Sequence, residues 1–311
     1  MSQPKTIEEI KGTQMTWVNV QDNTPAEMEY LQEIFRFHAL DLKDCLPPLQ
    51  RPKLMLRQDY IFMILLFPVF DRLTRKIRPA EVDFFINSST VVTVHDKALL
   101  PMMEFFEGVK AGKQPDMLNN SPANFLYELL DVLTMYCFPM LVHFSNDIDQ
   151  IEEHILETDY KAAEYRAREI FRVKTNIVNF RIAIRPMKYV VEALVKAAPQ
   201  FFSVSRLNIF FEEVVARTRE IWDLLENYKE SIDALHETNE SILASSTNAV
   251  MKTLTVLAVV FIPGTLVSAL FSTSFDNIPL GKNPAGFWIM VILMVGAVGG
   301  LLAFFKNKKW I

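Results

Sequence analysis

LTVLAVVFIPGTLVSALF (Leu254–Phe271) and FWIMVILMVGAVGGLLAFF (Phe287–Phe305) decide the architecture of this chain. Neither run contains a charged residue, and each is long enough to cross about 30 Å of hydrocarbon. Two such runs near the end of a 311-residue chain read as a transmembrane hairpin. The first span covers about 254–271, the outer loop 272–286 and the second span about 287–305. Lys252 precedes the first span, and Lys306, Lys308 and Lys309 follow the second, while Asp276 and Lys282 cancel in the loop. The excess of lysine beyond both outer ends places both termini in the cytosol of a cell (inner) membrane. Trp288 and Trp310 sit where interfacial aromatics belong. The polar opening MSQPKTIEEIKG is not a signal peptide, so membrane insertion is expected to use the C-terminal spans.

The rest of the chain is different in character. Half of all residues are hydrophobic, high for a soluble protein and low for a multi-spanning one. From Met251 onward there are five lysines and one aspartate, a net +4; the whole chain carries −5, which leaves −9 for residues 1–250. An acidic body argues against nucleic-acid binding, which needs a basic footprint, and suits a body that meets cations. Cys45 and Cys137 belong to no metal-spaced set and are expected as buried, reduced thiols.

Residues 1–120 read as a cytosolic α/β domain. Met15–Val20 alternates like a strand, and Pro25–Ala39 has helical spacing with proline at its start. Tyr60–Phe70 and Glu81–Val94 are rich in aromatic and β-branched residues, the second divided by a turn at Asn87-Ser88-Ser89. Residues 121–250 read as a long-helix bundle and stalk. Pro122–Leu156 is helical, with a kink expected at Pro139. Lys161–Ala197 follows, with Pro186 as a second kink and Ala198-Pro199 as a break. A third helix starts near Ser205 and has no clear stop before Phe271, a rod of roughly 100 Å. Residues 251–311 are the membrane hairpin and basic tail.

One face of that third helix carries an unusual stripe. Steps of three and four residues keep to one face of a helix. They give Ser231, Ala234, Thr238, Ser241, Ser245, Asn248, Met251, Thr255, Ala258, Ile262, Thr265, Ala269 and Ser272. Nearly all are small or hydroxylated. Small residues also let membrane helices pack closely, but this stripe continues well outside the apolar run, which favours a water-filled lumen. Two spans cannot enclose a lumen, so several copies must form a closed ring.

Asn248-Ala-Val-Met251-Lys252-Thr-Leu254-Thr255, then Phe261-Ile-Pro263-Gly-Thr265, then two spans and Lys306-Asn-Lys-Lys-Trp310, resemble the end of the CorA family of magnesium channels. Leu49-Gln-Arg-Pro-Lys53 and Asp59-Tyr60-Ile-Phe resemble that family's cytosolic domain, so the similarity covers nearly the whole chain. The resemblance implies an α+β cytosolic funnel, a long-helix stalk and two C-terminal transmembrane helices, assembled as a homopentamer in a lipid bilayer. It implies a divalent-cation channel, with Mg2+ or another divalent cation as transported ion and gating ligand. Carried over by position, Asn248, Met251, Leu254 and Ile262 face or constrict the pore, with Thr255, Ala258, Thr265 and Ala269 along the same lining. Asp44 and Glu213 match the acids that bind regulatory Mg2+ between neighbouring subunits.

The chain departs from the family at its signature. Where family members carry Gly-Met-Asn at the outer end of the first span, this sequence has Ser272-Thr273-Ser274 between Phe271 and Phe275. A serine ring is wider and holds shorter acceptors than an asparagine ring, which implies relaxed Mg2+ selectivity. Two other readings stay open: a zinc-type transporter of the same superfamily, which the missing signature also weakens, and a non-conducting membrane-anchored metal sensor or scaffold, which the altered signature favours. The lumen-like stripe favours conduction.

The remaining constellations are bland. His143 and His154 lie eleven residues apart, too far to ligate one ion. Asp147, Asp149, Glu152, Glu153, Glu157 and Asp159 form an acidic run that reads as a solvated helix face. There is no P-loop, GxGxxG, HExxH or plausible catalytic triad, so no enzyme is expected.

Overall fold

Alternation along the strands builds two cores on one sheet. In the β4 segment Ile61–Asp71, the residues Ile61, Met63, Leu65 and Phe67 point to one face, and Phe62 and Ile64 to the other. Both faces are buried, which is why this strand reads as an unbroken apolar run rather than an alternating one. The computed structural model describes residues 3–113, 117–157, 160–201, 207–272 and 285–308.

Six strands form a single sheet in the order β1-β2-β6-β5-β4-β3. They are β1 (Ile7–Lys11), β2 (Thr16–Val20), β3 (Lys53–Leu56), β4, β5 (Lys76–Ile86) and β6 (Thr90–His95). Only the β2–β6 pair is parallel. β4 and β5 pair over their full lengths, from Ile61↔Ile86 to Asp71↔Lys76. The expected turn at Asn87 is present: the Asn87 side-chain oxygen accepts from the Ser89 and Thr90 amides at 2.9 and 2.7 Å, the local bonding that makes asparagine a turn residue.

Helices α1 (Pro25–Phe35) and α2 (Ala39–Asp44) cover one face of the sheet, packing Met28, Leu31, Phe37 and Leu42 on Val18, Phe62, Phe85 and Val92. The helix expected over Pro25–Ala39 therefore ends earlier, at Arg36, whose left-handed φ of 56° closes α1. The other face is covered by α3 (Leu100–Lys110), α4 (Pro122–Met135), α5 (Cys137–Glu153), and parts of α6 (Tyr160–Phe201) and α7 (Leu207–Ser272). Trp17 is fully buried there, with Phe106 at 5.0 Å and Phe125 at 4.8 Å between ring centroids.

Two sequence expectations need correction. Pro122–Leu156 is not one kinked helix but two, separated at Tyr136. Pro139 has no N–H to give the carbonyl four residues earlier, and the chain divides one residue after that position. Ala198-Pro199 does not end the next helix, since α6 runs on to Phe201; a proline within the last turn costs the helix a single hydrogen bond. α6 is also continuous through Pro186. The third helix runs as expected, through Pro263 to Ser272. A last helix, α8 (Gly286–Asn307), holds the second apolar run.

The chain divides into two compact units. One comprises Met1–Ile155 with Glu164–His236 and contains the sheet; the other comprises Leu156–Ala163 with Glu237–Ile311 and contains both C-terminal apolar runs.

Candidate functional site

Among the described residues, three helical stretches are long and apolar enough to cross a bilayer: Pro122–Glu153, Ile209–Leu266 and Gly286–Asn307. The first has half of its apolar window buried in its own unit, where α4 and α5 line the core. The apolar windows of the other two have no buried residue. Leu254, Leu257, Phe261, Ile262 and Leu266 on α7, and Phe287, Trp288, Ile292 and Leu293 on α8, are all more than half exposed. Each such side chain left in water forgoes about 1.5–3 kcal/mol. A helix apolar on every side belongs in lipid or in a larger assembly.

The predicted lining residues occupy one side of α7. Asn248, Met251, Leu254, Thr255, Ala258, Ile262, Thr265 and Ala269 are all exposed. Ser231, Ala234, Thr238, Ser241 and Ser245, earlier on the stripe, are exposed as well. Val256, Val259, Val260, Pro263 and Gly264 are only partly so and mark roughly the opposite side. The division is not perfect, because Leu257, Phe261 and Leu266 are exposed too.

The threonines on α7 have their donors occupied. The Thr255 hydroxyl donates to the Met251 carbonyl at 2.7 Å and that of Thr265 to the Ile262 carbonyl at 2.9 Å. A hydroxyl has one donor and two acceptor lone pairs. With the proton directed at the helix backbone, the lone pairs are what each threonine presents outward, the polarity a hydrated cation needs. Ser272 is the last residue of α7; Thr273 and Ser274, the rest of the predicted selectivity loop, lie outside the described residues.

The two predicted metal-binding acids lie on different elements of the same unit. Asp44 ends α2 and forms an ion pair with Lys53. Glu213 lies on α7, 3.1 Å from the Arg217 guanidinium and 3.4 Å from the Tyr127 hydroxyl. Among the described residues no hydrogen bond or ion pair joins Asp44 to Glu213, and no group of three or more His, Cys, Asp or Glu is arranged to hold a metal. Each acid is instead matched to a cation of its own chain.

Asp44 is carried on a rigid support. Asp41, one turn earlier on α2, is 1% exposed and accepts from Arg57 Nε at 2.8 Å and from the Tyr60 hydroxyl at 2.7 Å. Burial on its own raises the pKa of this carboxyl, but the hydrogen bonds from Arg57 and Tyr60 outweigh it and hold the group below the usual range. Burial, with the hydrogen bond to Asp41, pushes Tyr60 up to about 12.

The sequence reading missed an acidic pair behind this support. Asp83 is 2% exposed on β5, and Glu81 is 8% exposed two residues away on the same face. Burial pushes the Asp83 carboxyl well up, and the neighbouring Glu81 adds to it. Burial also raises Glu81, against a hydrogen bond from the Gln50 amide. The signal was present in Glu81-Val-Asp83-Phe-Phe85, where two acids occupy alternate positions of an apolar strand. Cys45, buried and free, has its thiol raised by burial and then by Asp83.

Comparison with known proteins matches the same extent of chain. The family described as "CorA-like Mg2+ transporter protein" matches residues 12–308. The chain is 26% identical over 303 residues to the "Cobalt/magnesium transport protein CorA" of Thermotoga maritima, covering 95% of this chain and 83% of that protein. It is 24% identical over 240 residues to a "Zinc transport protein ZntB" of Pectobacterium atrosepticum, covering 74% of this chain and 68% of that one. Among solved structures, that of the CorA magnesium transporter from Methanocaldococcus jannaschii superposes over 100% of both chains with a TM-score of 0.81 at 18% identity.

Proposed function

This chain belongs to the CorA-like Mg2+ transporter protein family, and on that premise we propose that it is a membrane channel for divalent cations. The reading assigns residues 1–120 and 121–250 to the cytosolic body and stalk, and 251–311 to the membrane hairpin, with both termini in the cytosol. Five copies place their α7 helices around a central pore, and α8 faces lipid.

The observation that carries this reading is the exposed, uncharged and hydroxyl-bearing face of α7. Thr255 and Thr265 present acceptor lone pairs to the waters of a passing ion without stripping them, which suits a cation that dehydrates reluctantly. Rings of Met251, Leu254 and Ile262 narrow the path with apolar side chains, a barrier that closes by dewetting. Asn248 marks the cytosolic entrance. Ser272, Thr273 and Ser274 form the outer mouth and set a looser preference among divalent ions.

Asp44 of one copy and Glu213 of the next form the regulatory site. Two carboxylates and retained waters suit Mg2+. The ion must first displace Lys53 from Asp44 and Arg217 from Glu213, which weakens binding and places the regulatory response at higher Mg2+. The likeness to a zinc transport protein makes Zn2+ the principal competing cargo.

The test is flux into proteoliposomes of the purified protein, comparing Mg2+, Zn2+, Ni2+, Na+ and Cl−. Divalent-cation flux abolished by Thr265→Phe is the expected result. No flux of any ion would overturn the channel reading in favour of a metal sensor. Zn2+ flux without Mg2+ flux would assign the cargo to zinc.

A further inference from the structure

Between the tip of the β4–β5 hairpin and helices α5 and α6 lies a cleft of about 450 Å3, within the size range of small-molecule sites. It belongs wholly to the unit that contains the sheet, and no pore residue or proposed metal ligand enters it.

The cleft is held in shape by the backbone. Asn176 of α6 is 1% exposed; its side-chain oxygen accepts from the Ile77 amide at 2.9 Å, and its NH2 donates to the Arg75 carbonyl at 2.9 Å. Asn179, one turn on, donates to the Ile77 carbonyl at 2.9 Å. These bonds fasten the hairpin to α6. At the tip, the Asp71 carboxylate accepts from the Leu73 and Thr74 amides at 2.8 and 3.3 Å.

Three guanidinium groups meet in this cleft of an otherwise acidic chain. Arg172, whose side chain is 17% exposed, is neutralised by Asp147 at 2.9 Å and Glu169 at 2.7 Å. The pair at the hairpin tip is not balanced in this way. Arg75 forms a longer ion pair, at 3.6 Å, with Glu169, which it shares with Arg172. Arg72 forms no ion pair among the described residues, and both arginines are exposed. Beside them, the Phe70 ring is 40% exposed, and Tyr136, at the junction of α4 and α5, and Met140 of α5 also line the cleft. The exposed His143 imidazole offers a further donor.

Uncommitted guanidinium groups select phosphate and carboxylate oxygens, and an exposed ring beside them selects a planar apolar group. We propose that this cleft binds a small anion with a planar apolar part, the class that nucleoside monophosphates represent, with Arg72 and Arg75 on the anionic group and Phe70 against the plane.

The experiment is calorimetric titration of the full-length protein in detergent, with EDTA present so that no metal–phosphate complex forms. The probes are AMP, adenosine and inorganic phosphate. Saturable AMP binding is expected, tighter than either fragment alone, weakened at least tenfold by Arg72→Ala and unchanged by Arg219→Ala, a surface arginine paired with Glu192. Arg72→Gln serves the same purpose should the alanine variant not fold. Absence of saturable AMP binding overturns the proposal. So does AMP binding that Arg72 substitutions leave unchanged, or adenosine or phosphate binding as tightly as AMP.

Discussion

Replacing Thr265 by valine keeps the shape of the side chain and removes one oxygen. The hydroxyl donates to the Ile262 carbonyl at 2.9 Å, a carbonyl that helical N–H groups further along the chain can also reach, so its loss costs the fold little. On the proposed reading, what the channel loses is an outward-facing acceptor, repeated around the ring. A net hydrogen bond is worth about 0.5–1.5 kcal/mol. If the shell of a passing ion engages one or two of these oxygens at a time, the barrier rises by about 0.5–3 kcal/mol, which slows passage roughly 2- to 160-fold. Thr265→Ser restores the oxygen and should restore most of the flux. Val256→Thr is the matched control. It lies nine residues away, half a turn round the helix, on the partly buried side, and should leave flux unchanged. The assay is initial Mg2+ uptake into proteoliposomes with protein insertion equalised. Valine at 265 conducting like wild type, or Val256→Thr altering flux as strongly, would refute the assignment of the lumen to this face of α7.

Ser274→Asn should sharpen discrimination by restoring an amide to the outer mouth: Mg2+ should block monovalent current at lower concentration, and unchanged block places the filter elsewhere. Lys53→Met releases Asp44 from its ion pair. Since partly exposed pairs are worth about 0.2–1 kcal/mol, Mg2+ protection against limited proteolysis should shift to roughly 1.5- to 5-fold lower concentration, and a shift upward would contradict the regulatory role of Asp44. Asp83→Asn tests the buried acid. A carboxyl with its folded-state value raised contributes stability that is complete below the unfolded-state value and lost as pH rises through the folded one. The variant should therefore melt higher than wild type at pH 8–9, and the margin should shrink as pH falls towards 4; a margin independent of pH would show that Asp83 does not titrate in this way.

The parts of the fold legible in the sequence are those where periodicity and burial agree. β2 is rich in bulky and β-branched residues because both its faces are covered, Trp17 in one core and Val18 and Val20 in the other, and β6 follows a turn fixed by Asn87. The apolar run of β4 reads as a central strand because helices cover both of its faces. β1 (IEEIK) and β3 (KLML) were not legible. They are the two edges of the sheet, short and half exposed, and pairing with one neighbour imposes little on their composition. Prolines misled in both directions, because their effect depends on distance from a helix end: Pro199 lies within the last turn of α6, whereas Pro139 lies in the first turn of α5.

The two C-terminal apolar helices were legible for a different reason. Pro122–Glu153 and the end of α7 are both apolar and long enough to span a bilayer, so composition alone does not separate them. The arrangement of the apolar residues does. Phe125, Leu126, Leu129, Leu130 and Leu133 are fully buried in one face of α4, and Asp131 and Glu128 occupy other positions on that helix. On α7 beyond Met251, bulky apolar residues predominate, and Thr255, Ala258, Thr265 and Ala269 run as a line of small residues along one side. A core helix has a polar face for water, whereas a pore helix has a polar face for its cargo and apolar faces for lipid. That difference is written in side-chain types. The partner of Asp44 is not, because Lys53 reaches it only once α2 stands beside β3, whereas Arg217, four residues after Glu213, follows from the predicted helix. The proposed regulatory site should therefore be governed as much by those two cations as by the acids, and the Lys53→Met titration measures that competition directly.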